Sequence, residues 1–196
     1  MITSKLTFFE RKEDYKVILV NNQMVNTTPN RIGGTTSSGE FGTLLAELFD
    51  PQTEARFEWE RWATLRGRRM HVFAYRVPLS RSKFTVGYEL QTITTAYRGL
   101  VYVDRDSLTI MRVVQEMEDP PRSFPIQQVV KTLDYDVTDI SGVKFVLPLK
   151  AVVRSRVGKM LSKNEVEFRM YNRFGADSTI TFTPDELSPD QTTEQK

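Results

Sequence analysis

The chain has 196 residues, 39% of them hydrophobic and 27% charged, with 27 Lys plus Arg set against 25 Asp plus Glu for a formal charge of +2. That balance fits one packed domain better than a disordered chain, and it supplies no long-range field to draw the molecule onto nucleic acid or anionic lipid. Cysteine is absent, which excludes disulfides, thiolate nucleophiles and Cys-ligated zinc.

No apolar run approaches the roughly 20 residues that a membrane-spanning helix needs. Met1-Ile2-Thr3-Ser4-Lys5 lacks the charged-then-apolar layout of a secretory signal, so the chain taken by itself reads either as cytoplasmic or as one trimmed of its export signal. Lys5 to Arg11 and Asp14 to Val20 are short runs rich in aromatic and β-branched residues and read as strands. Asn21-Asn22 suits a tight hairpin turn into Gln23 to Val25, because Asn tolerates left-handed backbone. From Asn26 to Ser38 the chain is Asn, Thr, Gly and Ser with Pro29, a long loop.

Ser37-Ser38 are candidate N-caps for the one amphipathic helix, which runs from Glu40 to Phe49 and stops at Asp50-Pro51. Its apolar stripe, Phe41, Leu44, Leu45, Leu48 and Phe49, needs a sheet to lie on. After Pro51 the period becomes two. Ala55 to Leu65, Met70 to Val77, Phe84 to Leu90, Thr94 to Val103 and Leu108 to Met117 read as strands. Arg66-Gly67-Arg68 and Asp104 to Ser107 read as turns between them.

Asp119-Pro120-Pro121 to Pro125 lies extended outside the sheet, since proline supplies no ladder donor. Val129 to Val137, a turn at Ser141-Gly142, Val143 to Val157, Glu165 to Tyr171 and Thr179 to Phe182 complete the strands. Pro148 calls for a bulge or an edge position. The fold class is therefore mainly β: about ten antiparallel strands curling into a half-barrel or open barrel, with one helix on the concave face. Residues 1–183 form a single domain and 184–196 a disordered polar tail.

Catalytic chemistry finds little to build on. His71 is the one imidazole, and a nucleophile needs a base at its side. Asp134 with Asp136, Glu58 with Glu60, and Glu165 with Glu167 share strand faces, as the solvated side of amphipathic strands does. Arg31 to Thr36 is Gly-rich but lacks the Lys-Ser/Thr ending of a phosphate-binding loop. Arg66 to Arg69 is too local for a nucleic-acid surface. No enzyme, cofactor or metal is expected.

Aromatic residues crowd the central strands in both alternation phases, with Trp59 and Trp62 on opposite faces of an unbulged strand. One apolar side meets the helix; the other needs a ligand or a partner. The expected ligand-binding residues are Phe41, Leu44, Leu45, Leu48, Phe57, Trp59, Phe73 and Tyr88. The expected function is a non-catalytic binding or carrier module for an apolar ligand, lipid or lipidated protein. The alternative is a structural or protein-interaction domain that forms a homodimer or docks a partner through the aromatic face.

Tyr97-Arg98-Gly99-Leu100-Val101-Tyr102-Val103-Asp104, a short turn, then Leu108-Thr109-Ile110-Met111-Arg112-Val113-Val114-Gln115-Glu116 resembles the segment G-x-x-[WY]-V-D … R-x-x-x-E of the bacterial outer-membrane lipoprotein carrier-like superfamily (LolA/LolB, LppX and RseB). Val143 to Pro148 resembles its later strands, and Lys5 to Phe182 is similar to secreted proteins of acidobacteria. The resemblance implies a half-barrel covered by helices, a periplasmic or secreted location, and non-covalent binding of acyl chains or lipidated partners. No site residue of the superfamily maps onto this chain.

Overall fold

The computed structural model describes residues 2–10, 12–27 and 41–172. The expected loop beyond residue 27, the caps at Ser37 and Ser38, the strand Thr179 to Phe182 and the tail 184–196 lie outside them. Among the described residues the chain is mainly β, with twelve strands and one α-helix.

Three strands, β1 (Ile2–Phe9), β2 (Lys12–Val20) and β3 (Gln23–Thr27), form an antiparallel meander. Asn21 and Asn22 both have positive φ, as the tight β2–β3 turn requires. The helix α1 (Thr43–Leu48) follows. The main sheet has seven antiparallel strands in the order β12-β11-β10-β9-β8-β5-β4. They are β4 (Arg56–Leu65), β5 (Arg68–Val77), β8 (Ala96–Asp104), β9 (Ile110–Glu118), β10 (Ile126–Ile140), β11 (Val143–Val157) and β12 (Met160–Glu167). Between β5 and β8 the chain leaves the sheet at Pro78 and makes a small separate hairpin, β6 (Thr85–Tyr88) with β7 (Gln91–Thr94).

The one sheet of about ten strands expected from the sequence is thus three sheets. The reason the small hairpin stands apart is legible at Thr95, where the expected strand Thr94 to Val103 breaks. Its N–H turns aside to the Phe84 carbonyl, and its side chain is buried, so β7 ends before it and β8 begins after it. The helix is also shorter than Glu40 to Phe49. Phe41 packs between Phe8 and Phe168 instead, at ring-centroid distances of 5.4 and 5.8 Å. Gly42, with no side chain to offer, takes the N-cap position.

The core lies on one face of the main sheet. Leu44 and Leu48 of α1, Phe84 and Val86 of the small hairpin, and Phe124 of the β9–β10 connection close over Tyr75, Val77, Tyr97, Val101, Val113, Leu133 and Ala151. A second, smaller cluster of Leu65, Met70 and Met111, with Ala63 and Tyr102 packed on it, is separate from the first.

The meander is fastened to this body through the start of α1. Glu13 Oε1 accepts hydrogen bonds from the N–H groups of Phe41, Gly42 and Thr43 at 3.2, 2.9 and 3.0 Å. Those donors have no partner within a helix, so a carboxylate from β2 does what a capping side chain does elsewhere. Burial pushes the Glu13 carboxyl up, but the donors of Gly42 and Thr43 and the Tyr15 hydroxyl outweigh it and leave its pKa below the ordinary value.

Candidate functional site

One irregularity in β4 organises the aromatic residues. Trp59 pairs with Phe73 and Arg61 with Val72, so Glu60 is an extra residue, a β-bulge. The bulge advances the alternation by one position, and Trp62 lies opposite His71, on the same face as Trp59. The sequence-based expectation that the two tryptophans face opposite ways is therefore corrected. Their rings meet edge-on at 6.3 Å.

From there the aromatic contacts run on. The Trp62 ring centroid is 4.2 Å from that of His71, and the Arg69 guanidinium sits 4.4 Å above the Trp62 ring. His71 and Phe73 are stacked at 6.3 Å. On the α1 side, Phe49 stacks on Phe57 at 5.3 Å with an interplanar angle of 3°, and Phe57 leans on Tyr75 at 5.8 Å. This makes a shelf along the edge strand β4, on the same side of the sheet as α1. It is open: Trp59 is 52% exposed and Trp62 41%, although both are large apolar residues.

All eight expected binding residues lie on the α1 side of the sheet or in the elements packed there, in three places. Phe57, Trp59 and Phe73 belong to the shelf. Leu44 and Leu48 are buried core residues, and Leu45 and Tyr88 pack against that core half-buried. Phe41 serves the joint between meander and sheet. Trp62, His71, Arg69 and Phe49 join the shelf without having been expected in it, Trp62 because a bulge at a glutamate has no sequence signature.

The carboxylates have partners that fit structural roles. Arg112 grips Asp134 with two bonds of 2.7 and 3.0 Å, straight across β9 and β10. That bond is the main reason the Arg112 pKa is raised. Asp104, 1% exposed, accepts from the Ser107 N–H and hydroxyl and the Asp106 N–H, and pairs with Arg68 at 2.9 Å. The Ser107 N–H leads in holding its pKa down. Glu165 pairs with Lys150 and Lys163 at 3.1 and 2.9 Å.

Arg66, at the β4–β5 turn with φ of 50°, makes the longest reach. It donates to the carbonyls of Met111 on β9 and Tyr135 on β10 and pairs with Asp136 at 3.3 Å, although β8 and β9 stand between β5 and β10 in the sheet. The β9–β10 ladder stops at Arg112 and Asp134, and the guanidinium occupies the point where the two strands part. Three of the four residues in the basic run Arg66 to Arg69 are thus engaged with acids or a ring of the same chain. Among the described residues no three His, Asp or Glu side chains gather to hold a metal ion. No helix among them is long and apolar enough to cross a membrane.

No family model, no curated protein and no solved structure matches this chain.

Proposed function

We propose that the chain is a non-catalytic binding module whose working surface is the aromatic shelf of β4 and β5, and that this shelf docks the apolar surface of a protein, either a second copy or a different partner. The observation that carries this reading is the exposure of Trp59 and Trp62 on an edge strand. Small-molecule sites enclose most of their ligand, whereas this surface is open, with Trp59 and Trp62 exposed. Exposed tryptophans beside an arginine are also the side chains that dominate protein interfaces.

The same reading takes the main sheet as strongly coiled, an open half-barrel. Its support is the Arg66 contact with β10 and the packing of Leu65 against Met111, which bring the β4–β5 tip across two intervening strands. Met70 and Val72, buried on the face away from α1, line the inside of that coil. On this view the shelf lies on its outer flank, and α1 is a cover rather than a plug.

A second reading, an apolar carrier for lipid or a lipidated protein, is favoured by two runs of rings on one face of the sheet, Phe49-Phe57-Tyr75 and Trp59-Trp62-His71-Phe73. Sedimentation at micromolar concentration and titration of intrinsic tryptophan fluorescence with a long-chain fatty acid separate the two. A dimer that Trp59→Ala with Trp62→Ala dissociates supports the docking reading. A monomer with saturable quenching by the fatty acid, lost in Phe57→Ala with Phe73→Ala, which keeps both tryptophans of the chain, supports the carrier. A monomer indifferent to the fatty acid removes the carrier and the self-association reading together.

A further inference from the structure

The formal charge of +2 hides an uneven distribution. From Val143 to Lys163 the chain carries six cations, Lys144, Lys150, Arg154, Arg156, Lys159 and Lys163, and no acid. The nearest acid downstream is Glu165, and it is engaged with Lys150 and Lys163. Arg154, Arg156 and Lys159 have no acidic partner among the described residues.

Strand direction concentrates these charges. Arg154 pairs across the ladder with Lys163, and Arg156 with Leu161, so these four side chains share the face of the sheet away from α1. They line an open groove of about 320 Å³ together with Gln128 and Val130. Just beyond them the β11–β12 turn passes through Gly158 with φ of 57° and Lys159. It then presents Met160 and Leu161, 70% and 79% exposed. Two bare apolar side chains at a tight turn, Leu161 on the face of Arg154 and Arg156 and Met160 on the other, next to cations without an acidic partner, match the chemistry of a bilayer interface. There apolar groups enter the acyl boundary and basic groups meet anionic headgroups.

We propose that the β11–β12 end of the main sheet seats this protein on an anionic lipid bilayer. Met160 and Leu161 enter the interface, and Arg154, Arg156 and Lys159 face the lipid phosphates. This surface is separate from the aromatic shelf, so the two readings stand or fall independently.

The test sediments the full chain with vesicles of phosphatidylcholine alone and with about 30% phosphatidylglycerol, at low and high salt. Expected are partitioning onto the anionic vesicles, little onto the neutral ones, and weakening in salt. Each cation near such a surface strengthens binding roughly five-fold, so R154Q/R156Q lowers partitioning by roughly 25-fold. M160S/L161S lowers it by roughly ten-fold or more. All four residues are exposed, so both variants keep the thermal midpoint of the parent, which separates lost binding from lost folding. Failure to partition onto anionic vesicles at low salt overturns the proposal, as does partitioning that neither variant changes. Binding to vesicles and to heparin that R154Q/R156Q abolishes and M160S/L161S leaves intact also overturns it, and assigns the surface to a soluble polyanion.

Discussion

Tyr75 and Gly99 face each other across β5 and β8, and the Tyr75 hydroxyl passes over the glycine to donate a 2.9 Å hydrogen bond to the Val114 carbonyl on the next strand. Nothing larger than hydrogen fits beneath it. A Cβ built on Gly99 lies 1.8 Å from the Val114 oxygen and 2.7 Å from the tyrosine ring. Burial first, then the neighbouring Tyr97 and Tyr135, raises the Tyr75 pKa well above its ordinary value, so the hydroxyl remains a donor at alkaline pH.

Gly99→Ala therefore destabilises by at least about 3 kcal/mol, because one of the clashing atoms is backbone and cannot rotate away. Tyr75→Phe costs about 1 kcal/mol, the worth of one ordinary hydrogen bond. The double variant is no better than the sum of the two, since removing the hydroxyl leaves the carbonyl in place. Urea unfolding of the three variants measures this; rescue of Gly99→Ala by Tyr75→Phe contradicts it.

Glu13 ties the N-terminal meander to α1 through charge, so this joint answers to pH. Its folded pKa lies below the ordinary carboxylate value. The stabilisation is accordingly complete above that ordinary value and is lost as pH falls through the folded pKa. Glu13→Gln keeps an acceptor but removes the charge, and loses roughly 1 to 2 kcal/mol at neutral pH. Its stability loses the acid-side decline attributable to this group. Thermal midpoints of parent and variant between neutral and acid pH should converge as the pH drops; a constant gap would exclude the carboxylate as the cause.

How much of this the chain announces in advance depends on the kind of interaction. Hairpin turns were plain at Asn21-Asn22, Arg66-Gly67 and Ser141-Gly142, because each has backbone that Asn or Gly adopts easily. The bulge expected near Pro148 is present: Tyr135 pairs with Pro148 and Asp134 with Lys150, leaving Leu149 over. The residues Gly99, Asp104, Arg112 and Glu116, which stand out as a pattern in the sequence, each meet a local need here: close approach, a turn, and two cross-strand ion pairs. The bulge at Glu60 was invisible, because no special residue marks it, and with it went the true facing of Trp62. Contacts such as Glu13 to Gly42 or Arg66 to Tyr135 join residues far apart in the chain, where periodicity carries no information.

The bulge makes an unusual deletion tolerable. Removing Glu60 leaves Trp59 opposite Phe73 and Arg61 opposite Val72, with regular alternation restored and both tryptophans still on one face. Deleting Glu58, which sits in the regular ladder opposite Ala74, forces the strand to slip and reverses side chains. The Glu60 deletion is expected to cost no more than about 2 kcal/mol and to keep the near-ultraviolet circular dichroism of the edge-on tryptophan pair. The Glu58 deletion should lose more stability than the Glu60 deletion and change that signal. Equal damage from both would mean that Glu60 is not a spare residue.

Arg66 is the remaining fastening, and its removal should open one end of the sheet without dissolving the core. Its guanidinium satisfies carbonyls of Met111 and Tyr135 where β9 and β10 separate. Alanine leaves both acceptors short of a partner in a part-buried site, at a cost of roughly 1 to 3 kcal/mol. Lysine restores the charge facing Asp136 but cannot fork between two carbonyls, so it recovers only part of the loss. Hydrogen exchange localises the effect. Protection should fall at Leu65 to Arg68 and along Tyr135 to Ile140, while Val101, Val113 and Leu133, on the α1 side of the sheet, stay protected. Uniform loss across all of these would instead make Arg66 part of the global unfolding unit, and the β4–β5 end of the sheet inseparable from its core.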